Sequence, residues 1–145
     1  MEIVICRDAP EAGRLGAAAI VDLLQRKPDA VLGLATGSSP LAIYDELARR
    51  HEAGEVSFAH ARGFTLDEYV GLPADHPETY HNVIRRDIVG RVDFAPDAVH
   101  GPDGLAADIP AFCRSYEEAI AAAGGVDLQI LGLSLIHISE PTRPY

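Results

Sequence analysis

The chain has 145 residues, 48% of them hydrophobic, a size that supports one domain with a substantial core. Its formal net charge of -10 excludes a surface that holds nucleic acid or anionic membrane by its overall field, so an anionic ligand needs a local binding device. Cys6 and Cys113 lack metal or disulfide-framework spacing, no leader opens the chain, and no apolar run approaches the roughly 18 residues of a membrane span, which predicts a cytoplasmic protein with two reduced, largely buried thiols.

Residues 2–6, EIVIC, read as a first apolar strand. The following stretch turns to helical spacing, with Leu15, Ala19 and Leu23 on one face beside Ile20 and Leu24, and with Asp8 and Glu11 placed as a capping box. AVLGLA (30–35) reads as a second, buried strand, followed by a helix in which Ser39 is the expected cap and Pro40 the first helical residue. ARGFTLDE (61–68) supplies a third strand, PETYHNVIRRDIVG a helix, and 95–108 a long loop rich in Pro, Gly and Asp. IPAFCRSYEEAIAAAGG adds another helix and VDLQILGL (126–133) a fourth, continuously apolar strand. Such alternation predicts an α/β fold of Rossmann-like type, an open parallel sheet with helices on both faces.

Two constellations carry chemistry. Thr36, Gly37, Ser38 and Ser39 form a small-residue turn between a strand and a helix. Its glycine permits close backbone approach, and its free N–H groups and hydroxyls suit a phosphate. The same residues also fit a tight turn with no ligand, and neither a P-loop lysine nor a G-x-G-x-x-G spacing is present. Asp67 and Glu68 stand where the third strand runs out. Ligands of open parallel sheets sit outside the carboxyl ends of the strands, so if the two strands are neighbours, the acid and the turn share one crevice. A carboxylate there can move a proton beside a sugar-phosphate carbonyl, whereas the alternative is a helix cap or a solvated acid. His76 and His81 lack an acid or cysteine at ligand spacing, so no metal is expected. Arg85 and Arg86 read as a solvated or ion-paired helix face.

The segments GLATGSSPLAIYDEL, VSFAHARGFTLDEYVGL, HPETYHNVIRRDI and GLAADIPAFCRSYEEAI, in this order, resemble the amino-terminal half of the glucosamine-6-phosphate deaminase family. The resemblance implies an aldose–ketose isomerisation coupled to loss of ammonia, with no metal or organic cofactor. Asp67 is then the base that moves a proton between C2 and C1, and Thr36, Gly37, Ser38 and Ser39 bind the sugar phosphate; Glu68 is grouped with these substrate-binding residues and reads as a structural partner or orienter. A homo-oligomer is compatible with the resemblance for the full-length protein.

The family continues, after the strand matching LQILGL, with a glycine-rich loop ending in Gly-His-Ile-Gly-Phe-Asn-Glu-Pro, whose His helps to open the sugar ring. Here SLIHISEPTRPY stands instead, without those glycines or the Phe-Asn, and His137 matches only by coincidence. Residues 1–133 are therefore expected to be native domain sequence and 134–145 a foreign, adapter-like tail. A sheet cut at that point exposes an apolar edge. Two other functions share the fold expectation. A 6-phosphogluconolactonase is expected to carry Arg where this chain has Tyr69, and a sugar-phosphate-sensing domain of a transcription regulator is expected to follow a helix-turn-helix segment.

Overall fold

A computed structural model of the chain describes residues 2–132. Its elements in chain order are α1 (Ala9–Arg26), β1 (Val31–Leu34), α2 (Leu41–Glu52), β2 (Arg62–Thr65), α3 (Tyr80–Asp87), a 3-10 turn (Val89–Arg91), β3 (Val99–His100), α4 (Ile109–Ala122) and β4 (Leu128–Gln129). The four strands form one parallel sheet in the order β3-β2-β1-β4. The chain steps outward from β1 through β2 to β3 and then returns to the far side of β1, so the order reverses between β1 and β4.

Local chemistry explains most boundaries. The Asp8 carboxylate accepts the Glu11 N–H at 2.8 Å and caps α1, while Glu11 reaches back to the Arg7 N–H at 2.7 Å, one residue earlier than a standard capping box. The buried face of α1 is Gly13, Ala17, Ile20, Val21 and Leu24, whereas Leu15 is exposed. The face is rotated from the expected one because a Cβ at Gly13 would run into the Ala42 backbone, so α2 crosses α1 at its glycine. Leu32 and Leu34 of β1, Tyr44 and Leu47 of α2, and Ile84 of α3 join that face in a continuous core. On the other side of the sheet, Tyr116 of α4 meets the Phe64 ring at 5.7 Å. Both faces carry helices, as the alternation predicts.

Four expectations need correction. Residues 2–6 form no strand, and Ile3, Val4 and Ile5 are exposed, because an apolar run becomes a strand only with a pairing partner and none lies beside it among the described residues. The loop expected over 95–108 contains the edge strand β3, which its pairing with Gly63 and Phe64 creates. The fourth strand is assigned only at Leu128–Gln129, although Asp127 N–H to Val31 and Ile130 N–H to Gly33 extend its ladder by one hydrogen bond at each end. Asp127 fixes this edge, since its carboxylate accepts the Val31 N–H and the Lys27 ammonium, each at 2.8 Å. Neither thiol is buried as expected, since Cys113 is exposed and Cys6 half-buried. The junction expected at residue 134, and His137 with it, lie outside the described residues.

Candidate functional site at the carboxyl ends of β1 and β2

The strands β1 and β2 are direct parallel neighbours, and Leu34 pairs with Thr65. Thr36 lies two residues beyond Leu34 and Asp67 two beyond Thr65, so the turn and the acid leave the sheet side by side, from strands about 4.8 Å apart. The condition set by the sequence, that the two strands be neighbours, is met.

Tyr44 builds the exit from β1. The paired stretch ends at Leu34, and the N–H and C=O of Ala35 have no ladder partner. The buried Tyr44 hydroxyl supplies both, donating to the Ala35 oxygen at 2.7 Å and accepting its N–H at 3.1 Å. Burial pushes the Tyr44 phenol up to about 12. Beyond it, Gly37 adopts a φ of 101°, and a Cβ there would meet nothing within 4 Å, so backbone conformation rather than space calls for glycine. The expected Ser39 cap is absent. Helix α2 starts at Leu41 with Pro40 in the cap position and no capping side chain. The Ile43 and Tyr44 N–H groups donate to the Pro40 carbonyl at 2.9 and 3.0 Å, which leaves those of Leu41 and Ala42 without a capping side chain, the arrangement an anion needs. Gly132, past β4, lies against Ser39 and Pro40, which puts the turn at the reversal in strand order where open α/β sheets bind ligands.

Asp67 is solvent-accessible, yet partial burial and then the neighbouring Glu68 charge raise its pKa above the ordinary carboxylate value. A carboxylate so placed is a stronger proton acceptor than a free one. Glu68 points elsewhere: one oxygen accepts the N–H groups of Tyr69 at 2.8 Å and Tyr80 at 2.9 Å, and the other accepts that of His81 at 3.0 Å. Both of its oxygens are engaged by backbone N–H groups of its own loop and of the start of α3. Gly104 packs directly against the Tyr69 carbonyl, and its own oxygen accepts the Gly71 N–H at 3.0 Å, so the loop is held from both sides.

Sequence reasoning missed Tyr80. Its hydroxyl donates to that of Tyr69 at 3.2 Å, with ring centres 4.7 Å apart. That bond, burial and the Asp67 charge push Tyr80 up to about 12, opposed by the Thr36 side chain. Tyr80 thereby stands between acid and turn. The signal was its place at the first helical position after the Thr79 cap, which aims it back toward the strand ends. His76 and His81 are not brought to Asp67 by any hydrogen bond, and Arg86 pairs with Asp87 at 2.9 Å on the helix surface. A cavity of about 460 Å³ bordered by Leu24, Pro28, His51 and His60 lies at the amino ends of the strands, remote from these groups and on the wrong side of the sheet for an α/β ligand site.

The family description "Glucosamine-6-phosphate isomerases/6-phosphogluconolactonase" matches residues 9–134. The chain is 69% identical to a glucosamine-6-phosphate deaminase of Mycolicibacterium smegmatis and 68% identical to one of Beutenbergia cavernae, in each case over 97% of this chain and 55% of the relative. Among solved structures, a monomeric glucosamine-6-phosphate deaminase superposes with a TM-score of 0.89 at 36% identity, covering 92% of this chain and 56% of that one. A 6-phosphogluconolactonase from Thermotoga maritima superposes with a TM-score of 0.74 at 24% identity, which shows a shared fold. The chain spans about half the length of the curated relatives it matches.

Proposed function

Because the chain belongs to the family of glucosamine-6-phosphate isomerases and 6-phosphogluconolactonases, we propose that it carries the base and the phosphate turn of a glucosamine-6-phosphate deaminase. The reaction converts glucosamine 6-phosphate and water to fructose 6-phosphate and ammonia. The observation that carries this reading is the register of Leu34 with Thr65, which sets Asp67 beside Thr36–Ser39. The uncapped start of α2, with the Gly37 turn, holds the phosphate by backbone N–H groups, a local device that works despite the acidic whole. The Asp67 carboxylate takes the proton from C2 of the open-chain sugar and returns it to C1. Ammonia leaves C2, and the oxygen of water replaces it as the ketone, the sense in which the enzyme is a hydrolase. In this reading the protein serves amino-sugar catabolism in the cytoplasm and needs no cofactor.

Tyr69 favours this substrate over a lactone: its hydroxyl is tied to Tyr80 at the crevice, in the place where the lactonase pattern expects Arg. The test is to express the chain with the continuation encoded by its gene in place of residues 134–145, supply glucosamine 6-phosphate and measure ammonia. Release is expected, and Asp67→Asn in the same protein should lower kcat by about 100- to 10,000-fold with KM little changed, since the amide is nearly isosteric but accepts no proton. A full-length protein that releases no ammonia, or an Asp67→Asn variant as active as its parent, removes this function or this base.

A further inference from the structure

We infer that Glu68 is a positioning residue of this site, a clamp whose carboxylate fastens the loop after β2 to the first turn of α3 and so sets Asp67 against the Thr36–Ser39 turn. The inference rests on the proposed function for its catalytic consequence and on geometry alone for the clamp.

The first turn of a helix leaves four N–H groups without intrahelical partners. In α3 each has one from elsewhere: the His76 carbonyl takes Thr79 at 3.1 Å, Glu68 takes Tyr80 at 2.9 Å and His81 at 3.0 Å, and the Thr79 hydroxyl takes Asn82 at 3.3 Å. Two of the four thus depend on a residue twelve or thirteen positions earlier, next to the base. The negative charge also sits at the positive end of the helix dipole, where charge-assisted hydrogen bonds are strongest. Since the same carboxylate holds the Tyr69 N–H at 2.8 Å, the residue after Glu68 is fixed relative to α3, and the chain carries Asp67 directly before it. Tyr80, which faces Thr36, moves with them. Without Glu68, the loop that carries the acid would keep its contacts with Gly104, beyond the base, but lose its tie to α3, and Leu66 and Val70 on either side of the acid are both solvent-facing. Such a loop samples positions in which the carboxylate and the substrate carbon are misaligned, and a misplacement of about 1 Å can cost about 100-fold in rate.

The experiment uses the full-length protein and three variants. Glu68→Ala should lower kcat about 10- to 100-fold with KM within about twofold, and Glu68→Gln, which keeps the shape and one acceptor oxygen, should fall between it and the parent. Thr79→Ala loosens the same helix start without touching the loop and is expected to lower the thermal midpoint while keeping kcat. Asp67 faces two ionisable groups, Glu68 on its own loop and Tyr80 from α3. Removing the Glu68 charge should therefore move the acid limb of kcat/KM to lower pH in Glu68→Gln, whereas Thr79→Ala, which keeps that charge, should leave the limb in place. A rise in KM at constant kcat would make Glu68 a substrate contact, and an equal kcat loss in Thr79→Ala would make it a helix cap only; either overturns the inference. Amide hydrogen exchange separates the clamp from the chemistry. Faster exchange at Tyr80 and His81 in Glu68→Ala is expected even if the full-length protein releases no ammonia, and unchanged exchange there overturns the clamp whatever the activity.

Discussion

At the residue scale, the Asp67 carboxylate is held in surroundings that favour its protonated form, through partial burial and the Glu68 charge. Its folded pKa lies above the ordinary value of 3.8, so ionisation is harder in the folded chain than in the unfolded one. The resulting penalty is fully present above the folded pKa and disappears as pH falls below the unfolded one. Asp67→Asn should therefore raise the thermal midpoint at pH 7 and leave it close to that of the parent at about pH 3. Thermal unfolding of the pair at the two pH values checks this, and a midpoint lowered at pH 7 would mean that the carboxylate stabilises the fold. A residue that weakens the fold and serves the reaction is a common pattern at functional sites. The acid and the turn were legible in the sequence because both end a short apolar run. That they touch one crevice was not, since pairing of β1 with β2 and the match of Leu34 to Thr65 depend on contacts between residues about thirty positions apart.

At the element scale, the β1–α2 connection shows why local patterns misplace a boundary. Ser39 before Pro40 has the composition of a helix cap, yet the Ser39 side chain makes no capping bond. The connection is instead tied from within α2, where Tyr44 satisfies Ala35 on both its N–H and its carbonyl. In a hydrophobic pattern Tyr44 reads only as core, because periodicity reports burial and not where a hydroxyl points. Tyr44→Phe keeps the packing and orphans two buried backbone groups, and should cost about 1–3 kcal/mol in urea unfolding. In the full-length protein it should also raise KM if the Thr36–Ser39 turn binds phosphate as proposed, because that turn loses its fixed starting point. A loss in stability with KM unchanged would mean that the turn holds its shape without this tie. The strand β3 was illegible for a related reason, since two residues carry no periodicity and exist as a strand only through Gly63 and Phe64.

At the scale of the whole molecule, the two faces of the sheet are unequally covered. The side that includes α1 and α2 is closed by a continuous core, whereas α4 has no fully buried side chain: its stripe of Phe112, Tyr116 and Ile120 is itself half-buried, although Phe64 beneath it is buried. Ile3, Val4, Ile5 and Leu131 add exposed apolar surface, and among the described residues β4 is an edge strand of the sheet. Isolated apolar side chains on a surface are ordinary, but apolar groups beside an unpaired strand edge invite association. We expect the 145-residue chain by itself to bind an apolar dye and to self-associate at micromolar concentration, and the chain extended by its gene's own continuation to do neither or far less. Dye fluorescence and light scattering on the two proteins at matched concentration decide the matter. A dye-silent monomer from the short chain would show that α4 and the β4 edge need no further cover. Dye binding that persists undiminished in the extended protein would instead mark the α4 face as a surface for another molecule, and would move the search for assembly contacts there.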